Sequence, residues 1–167
     1  MDNGSREFLL IHSSTAIRLS PSSKPDITKL MSEMEEADVP ISYTNELEEI
    51  YFTKIPGGNH GDYCSDRIRL AADKKTREIL GKVLVHELAH HVDDQEDICS
   101  DDRLMKEKKK KAKYMSDTYA KRNVGEYFAV GFEVYYFGTD KEKRQMKKKN
   151  PYLHRTIEAI HKKYSRM

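Results

Sequence analysis

Two histidines four residues apart, with a glutamate directly after the first, constrain this chain more than any other feature. They lie in the stretch His86-Glu87-Leu88-Ala89-His90. On an α-helix, residues i and i+4 share a face. A helix here lets both imidazoles hold one Zn²⁺, while Glu87, one residue round, reaches a water at the ion's open position. The fold must then supply that helix, a third ligand from another element, and one side left open.

The flanking residues predict the helix. Asp73 is a good N-cap, and no proline interrupts the run from Lys74 to Gln95. Ile79, Leu80, Val83, Leu84 and Leu88 recur at spacings of one, three and four, an apolar stripe that buries while the histidines face elsewhere. Gly81 costs about 1 kcal/mol against alanine in a helix interior, and such a glycine marks close approach by a neighbouring element.

Upstream, residues 8–12 read as a buried strand, and Pro- and Ser-rich residues 20–25 as a turn into a helix over 26–37 that buries Ile27, Leu30, Met31 and Met34. Residues 39–43 and 49–54 have the β-branched and aromatic content of strands, and 56–61 is a Gly-rich loop. Residues 66–71 alternate charged and apolar side chains and run into the motif helix. That makes them the candidate edge strand for an extended substrate, with Ile68, Arg69, Leu70 and Ala71 as substrate-binding candidates. Downstream the pattern is helical: a lysine-rich helix over 102–116, one over 123–137 stopped by Gly138, and a last one with Asn150 as N-cap and Pro151 at its first position. The fold class is α+β, a small mixed sheet followed by helices. The expected organisation is one domain over 1–167, with a sheet-containing part over about 1–72, the motif helix over about 74–95 and C-terminal helices over about 102–165.

The chain is 35% charged and 37% hydrophobic, a soluble and polar composition without internal repeats. Its formal charge of +2 hides an asymmetry: residues 1–100 carry 11 Lys+Arg against 19 Asp+Glu, and residues 101–167 carry 19 against 9. The basic runs 106–113 and 141–149 raise the question of nucleic acid, yet both include acids, Glu107 and Glu142, and neither interleaves aromatic rings. A solvated helix face is the simpler reading, so no nucleic-acid partner is expected; a docking surface for an acidic protein substrate is the other. The apolar stretch 8–11 is too short for a signal peptide and no segment spans a membrane, so the chain reads as cytoplasmic, or as secreted with its export signal removed. A monomer is expected. Cys64 and Cys99 are too few for a disulfide scaffold and read as free thiols.

A hydrolytic zinc site has three protein ligands and one water. The metzincin spacing requires glycine three residues and histidine six residues after His90, where Asp93 and Glu96 stand, so that class is excluded. An acid on a downstream helix remains. Glu126 and Glu133, seven apart, can each face the metal.

The stretch from His86 to Asp94, followed by Tyr119-Ala120-Lys121-Arg122-Asn123-Val124-Gly125-Glu126-Tyr127-Phe128-Ala129, resembles the family of the anthrax lethal factor catalytic domain and the Pro-Pro endopeptidases. The likeness covers roughly residues 80–165. It implies a zincin-like fold and a zinc endopeptidase, with His86, His90 and Glu126 as metal ligands and Glu87 as general base and acid. It also implies Tyr119 as a hydrogen-bond donor to the developing oxyanion. Val130 stands where lethal factor carries a second acid, a departure that bears on acidic substrate contacts along this helix and leaves the zinc ligands untouched. Asp93 and Asp94 are candidates for accepting the other N–H of a ligand histidine, or for surface caps. His91, about 100° round from His90, points away from the metal. Kinship alone suggests secretion and Pro-Pro preference. The competing reading is a non-catalytic zinc-stabilised or basic interaction module, against which the intact Glu87 argues, since a closed structural site has no use for a base.

Overall fold

Five short strands form one mixed sheet in the order β1-β2-β3-β5-β4: β1 (Arg6–Leu9), β2 (Ala16–Leu19), β3 (Glu49–Thr53), β4 (Gly61–Cys64) and β5 (Arg67–Ala71). The computed structural model describes residues 6–9 (backbone only), 15–19, 25–73, 76, 78–115 and 117–167. Residues 20–24 of the predicted turn over 20–25 and positions 10–12 of the first predicted strand lie outside these. The two inner pairings are parallel and the two outer ones antiparallel.

Alternation along β5 is as the sequence implies, with Ile68 and Leu70 fully buried and Arg67 and Arg69 turned outward to Glu48 and Asp62. Its position is not. β5 is an inner strand, hydrogen-bonded to β3 on one side and β4 on the other, and β4 is the edge. Ser65 and Asp66 join β4 to β5 with φ of 49° and 61°, the left-handed pair that a two-residue type I′ hairpin needs. Residues 39–43 do not form the expected strand. A 3₁₀ turn over Ile41–Thr44 follows Pro40, whose carbonyl accepts from Tyr43 N at 3.1 Å. The turn drops Tyr43 into the core against Phe132, Tyr136 and Tyr164, where a strand would have pointed alternate side chains away.

Among the described residues, six helices cover the sheet and one another. Helix α1 (Ile27–Glu36) is capped by Asp26, which accepts from Lys29 N, and it buries Leu30 and Met34, with Ile27 and Met31 partly covered. Helix α2 (Leu80–Glu96) carries the histidines and starts later than residue 74. Asp73 instead closes an earlier turn by accepting from Thr76 N, and Ile79, at φ −128° and ψ 23°, interrupts the spiral. Ile79 is accordingly 41% exposed, whereas Leu80, Val83, Leu84 and Leu88 are buried as the stripe predicts. A Cβ on Gly81 would lie 2.9 Å from Glu33 Oε2 and 3.0 Å from Phe137 Cζ, so helices on both sides press against it.

Helix α3 (Asp102–Lys111) is capped by Asp101 and ends five residues before the predicted 116, in a 3₁₀ turn over Ala112–Tyr114. Helix α4 (Val124–Phe137) runs between Asn123 and Gly138 as expected, packs along α2, and buries Tyr127, Phe128 and Phe132 completely. Helix α5 (Asp140–Lys149) is an element that the hydrophobic pattern does not separate, although Thr139 and Glu142 form a full capping box. Helix α6 (Pro151–Tyr164) begins on Pro151, but Asn150 does not cap it with its side chain. The Asn150 amide donates instead to Tyr127 Oη (2.7 Å) and Lys111 O (3.1 Å), binding α4 and α3 together at a fully buried point. Both cysteines are free, and among the described residues no helix is long and apolar enough to cross a membrane.

Candidate metal centre

Because one face of α2 is committed to the core, its opposite face presents His86, Glu87 and His90 to a cleft. The imidazole centroids of His86 and His90 are 5.0 Å apart with ring planes at 72°. Helix α4 crosses above them, and Asn123, accepting from Glu126 N at 2.8 Å, fixes the first turn from which Glu126 projects. Donor atoms of His86, His90 and Glu126 lie within 4.8 Å of one another.

Whether this triad suits a metal is tested by Glu126 itself. Its Oε2 is buried and, among the described residues, lacks a hydrogen-bond partner, yet it sits 3.3 Å from His86 Nε2. Two ligands about 2.0–2.1 Å from a tetrahedral Zn²⁺ stand roughly 3.3 Å apart. An orphaned carboxylate oxygen at that spacing, with two imidazoles and one open side, is a donor set that fits zinc.

Glu133, two turns further along α4, completes the surroundings of the same imidazole. Its Oε1 is 2.6 Å from His86 Nδ1 and its Oε2 is 3.1 Å from Lys82 Nζ. A carboxylate can only accept, so Nδ1 carries a proton, and once the ring is neutral Nε2 turns its lone pair to the side facing Glu126. The two acids that sequence spacing left as alternatives therefore address opposite nitrogens of one ring. Asp93 and Asp94, the candidates for orienting a ligand histidine, line the cleft and have other partners. Asp93 accepts from Cys99 N and Cys99 Sγ (2.7 and 2.6 Å), closing the turn after α2, and Asp94 lies beside Tyr63. His91 is fully buried and turned away, donating from Nε2 to Asn45 O at 2.8 Å.

The electrostatics follow from burial and neighbours. Burial alone would lower the His86 pKa, but Glu126 and Glu133 raise it to about 10. Burial pushes Glu87 up to about 7, against the pull of His86. His90 is held below the usual histidine range by burial and by His86, and Glu126 below the usual carboxylate range by His86.

The cleft, about 870 Å³, is walled on one side by residues 58–65 and on the other by Asp117, Tyr119 and Arg122. Tyr119 is 38% exposed on a 3₁₀ turn (Thr118–Lys121), with the Arg122 guanidinium 3.6 Å from its ring centroid. Of the four substrate-contact candidates on β5, Ile68, Leu70 and Ala71 are buried and Arg69 is held by Asp62 through two 2.7 Å bonds. None lines the cleft. Its strand is β4, whose Gly-Asp-Tyr-Cys sequence has no apolar alternation by which to find it. A Cβ on Gly61 would sit 2.8 Å from Glu87 Oε1 and 2.9 Å from Val83 Cγ1, so β4 rests directly on the glutamate of the motif.

Comparison with known proteins bears on the family and the fold. Residues 25–160 match the family model described as anthrax toxin lethal factor, N- and C-terminal domain. The fold resembles the Pro-Pro endopeptidase of Paenibacillus alvei, with a TM-score of 0.59 and 18% identity over 86% of this chain and 96% of that one. No curated protein sequence matches.

Proposed function

The chain belongs to the family of the anthrax toxin lethal factor N- and C-terminal domain, and from that premise we propose that it is a zinc-dependent endopeptidase. His86, His90 and Glu126 hold the ion, and the observation that carries the reading is the orphaned Glu126 Oε2 facing His86 Nε2 across 3.3 Å. When bound, zinc supplies a water of lowered pKa and a Lewis acid for the scissile carbonyl.

The chain's own residues do the rest. Glu87, buried at the cleft floor with a pKa raised to about 7, takes the proton of the attacking water and returns it to the leaving amine. Tyr119 donates its phenol hydrogen to the oxyanion, since it is the exposed hydroxyl on the wall facing the motif helix. Glu133 keeps the His86 proton on Nδ1. The free edge of β4 pairs with an extended peptide and holds it across the floor. A non-catalytic module is disfavoured by Glu87, a buried carboxylate with a base's pKa and, among the described residues, no hydrogen bond to require it.

Digestion of a combinatorial peptide library that includes Pro-Pro bonds, followed by mass spectrometry of the products, tests the reading. Internal cuts are expected from the zinc-loaded protein and none from Glu87→Gln. Identical product patterns from the two proteins contradict it.

A further inference from the structure

The two lysine runs, separated by nearly thirty residues in sequence, meet in space. Helices α3 and α5 both end on lysines, Lys108–Lys111 and Lys147–Lys149 in their last turns, and both ends arrive at Tyr114. Gln145 donates to Tyr114 O at 2.7 Å, while Lys113 and Lys149 flank the Tyr114 ring with Nζ at 5.2 and 5.1 Å from its centroid. Cations within about 6 Å of a ring face are attracted to it, so the ring gathers charges that would otherwise repel.

Of the nine acids of this half of the chain, five are engaged within the fold. Asp101 caps α3 and accepts from Tyr152 Oη, Glu107 is buried under the N-terminus of α6, Glu142 closes the capping box of α5, and Glu126 and Glu133 face His86. Each sits at a helix N-terminus or inside, where the helix dipole or a donor holds it, and the lysines occupy the C-terminal ends. Among the described residues none of Lys109, Lys110, Lys113, Lys147, Lys148 or Lys149, all exposed except for contact with Tyr114, makes an ion pair. The face is also continuous with the cleft. Lys108 Nζ donates to the carbonyl of Arg122, whose side chain stacks on Tyr119 in the cleft wall.

We propose that this face, centred on Tyr114 between Lys113 and Lys149, is a docking surface for an acidic segment of the polypeptide that the cleft cleaves. The proposal rests on the endopeptidase reading for the identity of the partner. An acidic peptide fits better than nucleic acid: the two cations on the Tyr114 ring are lysines, point charges without arginine's bidentate fork for phosphate, and Tyr114 is a ring already flanked by them, not a stacking platform.

Two measurements test it. Fluorescence anisotropy of a labelled deca-glutamate peptide on zinc-loaded Glu87→Gln, which needs no catalysis, should show saturable binding that weakens with salt. Binding should fall about tenfold in K113E/K147E/K149E and less in K113Q/K149Q, which guards against a folding defect in the first variant. Tighter binding of an oligothymidylate of equal charge, or equal deca-glutamate binding by the lysine variants, overturns the proposal. In the second measurement, library peptides with five-glutamate tails should be cleaved with lower KM than peptides with five-glutamine tails, and K113E/K147E/K149E should erase the difference without changing kcat. Equal KM values overturn the proposal. Failure to cleave either library counts against the endopeptidase reading alone, and the anisotropy result then still decides the surface.

Discussion

Glu133 Oε1 lies 2.6 Å from His86 Nδ1, and through its other oxygen Glu133 also holds Lys82. A carboxylate behind a ligand histidine orients the ring and raises its basicity, and loss of such a partner costs about 10- to 100-fold in metal affinity. Glu133→Ala should lower zinc affinity by that amount in competition with a chromophoric chelator. Glu133→Gln, which keeps an acceptor for Nδ1–H, should fall less. Equal affinity in all three proteins would remove Glu133 from the account.

The reading of this pair marks how far the sequence was legible. Glu126 and Glu133 sit seven apart on an apolar helix, which shows that both face one way but not what they face. Only the crossing of α4 over α2 brings one imidazole between them, and that is a matter of tertiary packing. His86 and His90 were legible because the i, i+4 rule is local. The inner place of β5 was not, because inner and edge strands can share an alternating pattern when one face of the sheet is solvated, and because Gly61-Asp62-Tyr63-Cys64 carries no strand signal of its own. Asn150 preceded Pro151 as a cap should, yet its amide was taken by Tyr127 Oη and Lys111 O, partners 23 and 39 residues away.

Gly61 positions the base by having no side chain. Gly61→Ala would bring a methyl to 2.8 Å from Glu87 Oε1 and 2.9 Å from Val83 Cγ1, forcing the carboxylate to move. A displacement of about 1 Å in a catalytic group can cost about 10²-fold in rate. Peptide cleavage should fall on that order while zinc content is unchanged. Unaltered kcat would show that Glu87 tolerates the shift.

Proton linkage gives a third prediction. The metal-free His86, with a pKa raised to about 10, is protonated near pH 7, and zinc needs the neutral ring. Zinc binding should therefore release close to one proton at pH 7, read by calorimetry in buffers of different ionisation enthalpy, and affinity should rise with pH. Zero release would contradict the protonated resting state.

The same shifts set the stability of the metal-free protein. His86 and Glu87 both have folded pKa values above their unfolded ones, about 10 and about 7. Their contributions are complete below the unfolded values, about 6.5 and 4.5, and are lost as pH rises through the folded ones. Chelator-treated protein should therefore melt at a lower temperature at pH 9 than at pH 6. A higher melting temperature at pH 9 would reverse the sign assigned here.

Glu107 is a structural counterpart, a buried carboxylate that accepts from Leu153 N (2.9 Å), Tyr152 N (3.1 Å) and Tyr127 Oη (3.3 Å). Removing it leaves buried donors without an acceptor, so Glu107→Ala should cost about 3 kcal/mol in urea unfolding, from loosening of α6 against α3. A loss below about 0.5 kcal/mol would mean that water replaces the carboxylate.

Zinc content tests the central claim most directly. Inductively coupled plasma mass spectrometry on gel-filtered protein should give about one zinc per chain for the unaltered sequence and for Glu87→Gln, and far less for Glu126→Ala. Full zinc occupancy in Glu126→Ala would show that the orphaned oxygen beside His86 is not a ligand, and the site would have to be rebuilt around another donor.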